Sequence, residues 1–251
     1  MNQFLGIIPA RYGSTRFPGK PLADIGGKPM IQRVCEQASK ALDNVVVATD
    51  DERIYKVVKD FGGKVVMTSS EHRSGTDRCF EAFKKYSEER NTLFDVVINI
   101  QGDEPFIRPD QIELLKSCFE SESTDIATLI KKIDDTEVVF NENKPKVVVN
   151  RFNEALYFSR SPVPFIRSAE KQQWDKKHSF YQHIGMYAYR VSVLEEIIKM
   201  PFGLLEQAES LEQLRWLENG LKIKTAVTDY ESYGIDTPED LSKAIQMGML
   251  K

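Results

Sequence analysis

Four short apolar runs punctuate the first hundred residues: FLGIIPA (4–10), NVVVAT (44–49), KVVM (64–67) and DVVINI (95–100). They are rich in β-branched residues and close to continuously apolar, the pattern of strands buried on both faces. Between them the apolar positions recur at helical spacing over 29–42, 51–61 and 75–89. Two of these segments open on capping-box signals, Thr49-x-x-Glu52 and Ser74-x-x-Asp77, which satisfy the free N–H groups of a first turn. Strands of this kind alternating with amphipathic helices predict a mainly parallel central sheet covered by helices on both faces, a Rossmann-like α/β fold.

The rhythm changes near residue 125. DIATLIKKI, KVVVN, ALYFS and QHIGMYAYR are strand-like, and the last alternates in a way that suits an antiparallel strand. The segment SPVPFIRSAEKQQWDKKHSF between them reads as a mobile or partner-covered excursion. Helices at 191–199 and 211–219, a strand at KIKTAVT and a closing helix from Pro238 then restore the α/β pattern. The expectation is one α/β domain over 1–251 with a β-rich insertion at about 125–190.

Charge narrows the function. The net charge of −4 gives no broad basic face for nucleic acid or an anionic membrane. No apolar stretch approaches the ~18 residues of a membrane span. Cys35, Cys79 and Cys118 are far apart and form no C-x-x-C pair, which suits free thiols in a reducing compartment. The three histidines show no metalloprotease spacing. A cytoplasmic location is expected.

Against this acidic background, GIIPARYGSTRFPGKPL (6–22) carries Arg11, Arg16 and Lys20 with no acid before Asp24. A loop directly after the first strand of a parallel sheet lies at the carboxyl edge, where ligands of such sheets bind. Arg and Lys clamp phosphate oxygens there, and glycines let the backbone approach. The loop has neither the G-x-G-x-x-G of a dinucleotide fold nor Walker spacing, since Gly13 and Gly19 have five residues between them and Pro21 follows Lys20. It reads as a side-chain cation clamp for a polyphosphate, or else as a solvated loop whose arginines pair with surface acids.

At these residues the chain resembles the 3-deoxy-manno-octulosonate (Kdo) cytidylyltransferase, or CMP-Kdo synthetase, family of sugar nucleotidyltransferases. The resemblance runs through GKPMI, VATDDERI, RSGTDR, NIQGDEPFI, LYFSRSPVPF, QHIGMYAYR, LEQLRWLENG and IDTPEDL. It implies a nucleotide-diphospho-sugar transferase fold, CTP and Kdo as substrates, Mg2+ as cofactor, a role in lipopolysaccharide biosynthesis and a homodimer. It assigns Arg11, Arg16 and Lys20 to the phosphates of CTP, and the metal to Asp103 and Asp236. Mg2+ is a hard cation satisfied by one or two carboxylates, phosphates and water, which two turn aspartates can supply. Asp103 could equally make a local turn, and Asp236 could serve the helix that Thr237 and Pro238 begin.

Ser74-Gly75 opens a helix whose free backbone groups can read the edge of a small base. The resemblance gives Arg73, Ser74 and Gly75 to cytosine, and Gln101 is a candidate nucleotide contact. A sugar acid needs Arg or His with polar partners. The resemblance places Arg160, His183, Tyr187, Glu212 and Gln213 there, while His183 also fits a core histidine and Ser210-x-x-Gln213 also fits a capping box. The middle of 161–182 departs from the family motifs and leaves the accepted sugar acid open.

The reaction implied is in-line attack of the anomeric hydroxyl on the α-phosphorus of CTP, with pyrophosphate leaving and no covalent intermediate. Two alternatives stand beside it. One is a cytidylyltransferase for an amino-substituted Kdo or a nine-carbon acid; the other is a non-catalytic nucleotide-binding module.

Overall fold

The apolar runs of the first hundred residues become β1 (Phe4–Ala10), β2 (Val45–Thr49), β3 (Val65–Met67) and β4 (Val96–Asn99) in a computed structural model. That structure describes residues 2–231 and 233–247. The strands pair in parallel in the order β3-β2-β1-β4, with Ile7 opposite Val46 on one side and Asn99 on the other. Leu5, Ile7, Ile8, Val46, Val47 and Val97 are fully buried, as continuous apolar strands require. Between the strands run α1 (Met30–Ala38), α2 (Glu52–Asp60) and α3 (Gly75–Arg90), burying Ile31 and Val34, Ile54 and Val58, and Cys79, Ala82 and Tyr86.

The predicted Ser74–Asp77 capping box is present at the start of α3. The Thr49 cap is not. Thr49 stays in the ladder opposite Ala10 and Met67, so its backbone is committed to the sheet. Asp51 takes the cap of α2 instead, accepting from the Arg53 N–H at 2.9 Å.

Contacts group the chain into two compact units, Met1–Glu113 with Ser232–Lys251, and Leu114–Glu231. The chain leaves the first along α4 (Pro109–Cys118), in which Ile112 and Leu115 are buried. The second is β-rich. Its β5 (Ile126–Lys132) is followed by α5 (Thr136–Phe140), β6 (Lys146–Val149), β7 (Ala155–Ser159), α6 (Trp174–Lys177) and β8 (Tyr181–Arg190). Then come α7 (Val191–Ile197), α8 (Leu204–Glu209), α9 (Gln213–Glu218) and β9 (Ile223–Val227). β5 pairs antiparallel with β8, as the alternation of QHIGMYAYR implied, and parallel with β9, while β6 bridges β7 and β8. Finally α10 (Pro238–Gln246) returns to the first unit, where Ala244 and Ile235 pack with Ile25 and Met30.

The 161–182 excursion is anchored by its own tryptophan. Trp174 is buried with Ile133, Val139 and Phe180, and its Nε1 donates to the Ala169 carbonyl at 3.1 Å. Phe158 and Tyr187 are buried within the unit, while Phe165 remains largely exposed. Among the described residues no helix is long and apolar enough to cross a membrane.

One buried cation ties the β-rich unit together. Lys146 is fully inaccessible, and its Nζ donates to the carbonyls of Asn141 (2.8 Å) and Arg160 (2.7 Å). Burial lowers its pKa. Lys146→Met removes both donations and leaves two carbonyls unsatisfied, so it is expected to destabilise the protein by about 1–3 kcal/mol in urea unfolding.

Candidate active site

The basic loop is shaped by its own backbone. The Tyr12 carbonyl accepts from the N–H groups of Ser14 and Gly19, both at 2.9 Å. Gly19 sits at φ 71°, a conformation that favours glycine, and a β-carbon there would press on the Tyr12 ring at 3.0 Å. A short 3-10 turn over Lys20–Leu22 then turns Lys20 inward.

Two of the cations lacking nearby acids in the sequence, Arg16 and Lys20, acquire them in the fold. Lys20 Nζ lies 2.7 Å from Asp103 Oδ2 and 3.1 Å from Asp236 Oδ1, and Arg16 pairs with Asp236 Oδ2 at 3.1 Å. The Lys20 side chain is only 12% exposed, against 32% and 46% for the two aspartates. The alternative uses of these acids are met by other groups. Asp240, with Thr237, caps α10: its Oδ2 accepts from the N–H groups of Asp236 (3.1 Å) and Thr237 (3.0 Å), which leaves the Asp236 carboxylate facing the cations. Asp103 engages Lys20 through its side chain and the Ile235 N–H through its carbonyl.

These groups line a cavity of about 330 Å³ together with Arg11, His72, Arg73, Ser74, Gly75, Arg78, Gln101 and Gly102. All nine residues expected at the phosphates, metal and base are therefore gathered around one space. At Gly102 a β-carbon would come within 2.7 Å of the Pro9 carbonyl oxygen, a backbone atom that cannot swing aside. The strand ends approach closely only because that residue has no side chain.

Sequence reasoning missed Arg78 and His72 as wall residues. Arg78 is almost fully buried and donates to Thr68 Oγ1 (2.6 Å) and Asp50 Oδ2 (2.7 Å). The second arginine of RSGTDR was the available signal. His72 bonds through Nε2 to Glu81. Burial would raise the Glu81 carboxyl, but donation from Lys85, the Ser69 N–H and His72 holds it down to about 2.

All five residues expected at the sugar lie in the second unit, and His183, Tyr187 and Glu212 come together there. The His183 and Tyr187 rings are 5.1 Å apart on one face of β8, and Tyr187 meets the Trp216 ring edge-on at 5.0 Å. Glu212 pairs with Arg215 at 2.8 Å and helps burial push the Tyr187 phenol well up. Gln213 is buried, with Nε2 lacking a partner. Ser210 makes no cap for α9; it ends α8 in a left-handed conformation. Arg160 spends three guanidinium donations on the carbonyls of Glu209, Glu142 and Ser210.

A description of the cytidylyltransferase family matches residues 5–223. The chain belongs to that family. This cytidylyltransferase is 61% identical over 249 residues, 98% of each chain, to a protein of Parabacteroides distasonis named 3-deoxy-manno-octulosonate cytidylyltransferase. A protein of the same name from Bacteroides thetaiotaomicron is 60% identical over 96% of each chain. The fold is the Rossmann-like α/β fold of nucleotidyltransferases. A solved structure of CMP:2-keto-3-deoxy-manno-octonic acid synthetase complexed with CTP superposes with a TM-score of 0.90 at 44% identity, covering 98% of both chains.

His183 gives this cytidylyltransferase an acid-sensitive contact. Its Nε2 lies 3.0 Å from Thr128 Oγ1, which is itself 2.9 Å from the Met186 carbonyl. The hydroxyl donates to that carbonyl and accepts from a neutral imidazole. Burial lowers the imidazole pKa from 6.5 to about 3. The folded form therefore resists a proton that the unfolded chain takes up, so the contribution is complete above 6.5 and is lost progressively as pH falls toward 3. Between pH 6.5 and about 5.5 the protein is expected to lose about 1 kcal/mol from this group, a loss absent in His183→Gln when urea midpoints are compared.

Proposed function

We propose that this chain transfers CMP from CTP to the anomeric hydroxyl of Kdo and releases pyrophosphate, as a single nucleotidyltransferase working in the cytoplasm. The observation that carries the reading is the convergence of Arg16, Lys20, Asp103 and Asp236 at one end of the cavity. A purely nucleotide-binding module needs phosphate cations but has no use for a carboxylate pair beside them.

The pair also suits Mg2+. Two carboxylates from remote segments already reach one compact cation, the Lys20 ammonium, and one or two carboxylates are what this ion takes from a protein. Among the described residues no group of three or more metal-ligating side chains exists, so a site completed by phosphate and water is the fitting kind. When bound, the ion supplies charge neutralisation at the phosphates. Lys20, Arg16 and Arg11 hold the β- and γ-phosphates and offset the charge that grows on departing pyrophosphate. Arg73, Ser74, Gly75 and Gln101 flank the same cavity and face the cytidine. His183, Tyr187, Glu212, Gln213 and Arg160 orient the sugar acid.

Three free cysteines support a reducing compartment. Exposed Leu156, Phe165, Phe202 and Leu204 on the second unit support a second copy as partner. Light scattering is expected to return twice the 28.7 kDa chain mass.

A coupled pyrophosphate assay tests the reaction. Release is expected with CTP, Kdo and Mg2+ together, to collapse when the metal is chelated, and to be slower with amino-substituted or nine-carbon acids. Lys20→Ala is expected to remain folded by circular dichroism and to lose about 10²–10³ in kcat. Wild-type turnover in that variant would contradict the assignment.

A further inference from the structure

In the loop between β3 and α3, residues 69–72 are held from behind by the Glu81 carboxylate. Glu81 lies seven residues into α3 and is not part of the cavity wall, whereas His72, Arg73, Ser74 and Gly75 are. Its Oε2 accepts from the Ser69 N–H at 2.9 Å and contacts His72 Nε2, while Oε1 pairs with Lys85 at 2.7 Å. Residues 69–73 bury nothing: Ser69, Ser70, Glu71 and Arg73 are exposed and His72 is only half-buried. No apolar anchor fixes this stretch, so its position depends on hydrogen bonds, and two of them end on one carboxylate oxygen. A charged acceptor makes those bonds stronger than a neutral one would.

We infer that Glu81 is a positioning residue for nucleotide selection: it latches the 69–72 segment so that the backbone at Ser74 and Gly75 meets the base in a fixed place. This rests on the proposed placement of the base at that loop. With the latch in place the loop populates its binding geometry before ligand arrives. Releasing it lowers the competent fraction, and apparent affinity falls by the same factor. The phosphate end, built on Arg16 and Lys20, does not share these contacts, so the effect is confined to the base.

Glu81→Gln is the test, because it keeps the shape and one acceptor oxygen while removing the charge. Calorimetric titrations with CTP, UTP and inorganic tripolyphosphate are made on the full chain beside thermal midpoints. Expected are a rise of about tenfold in the CTP dissociation constant, a reduced preference for CTP over UTP, and unchanged tripolyphosphate binding. His72→Ala, a second route to the same loosening, is expected to raise the CTP constant as well. The double variant should be no worse than the weaker-binding single, because both release the same latch. CTP and tripolyphosphate weakening together, CTP binding unchanged in both variants, or effects that multiply in the double variant would each overturn the latch. Wild-type protein that took tripolyphosphate and ignored CTP would instead overturn the cytidylyl-transfer reading, before any variant is made.

Discussion

The Lys20 ammonium, drawn between Asp103 and Asp236, is the contact on which the first unit's site depends. A lysine this far removed from water is tolerated only when its charge is matched. The match comes from carboxylates 83 and 216 positions away along the chain. One lysine, through two ion pairs, therefore ties the loop after β1, the turn after β4 and the segment before α10. The Asp103 partner is shorter and better shielded than the half-exposed Asp236, so it carries more of the stabilisation.

The same charges answer the chemical requirement of nucleotidyl transfer. Phosphoryl chemistry asks little covalent work of a protein; it asks that substrate groups be held in line and that growing negative charge meet fixed positive charge. Rigid elements supply this at the strand ends, where Gly102 lets the β1 and β4 carboxyl ends approach and α10 is capped independently of Asp236. Polar loops supply the rest, and with little apolar packing these need tethers such as the Tyr12 carbonyl.

Much of the first unit was legible from the chain alone. β1 ends where its apolar run ends, because a strand buried on both faces writes an unbroken run into the sequence. Short elements were harder: α5 and α8 span five and six residues, too few for a helical period to declare itself. The α2 cap was misplaced because Thr49 and Asp51 are both competent caps, and only pairing to β1 and β3 excludes the first. Trp174 lies in a polar stretch, and what buries it comes from residues 133, 139 and 180. At the site, the residue types of the cation loop were readable, but its counter-charges were not. Local spacing says nothing about partners separated by most of the chain, so those rested on the family resemblance.

The position of Asp236 has a consequence for biosynthesis. The loop bearing Lys20 leaves the ribosome early, but its second carboxylate is made more than two hundred residues later. Until then Lys20 has only the Asp103 carboxylate to meet its charge, and Arg16 lacks the partner it has in the finished fold. Full electrostatic matching of the turn is thus coupled to translation itself, since the last carboxylate to arrive is the one that Lys20 and Arg16 share.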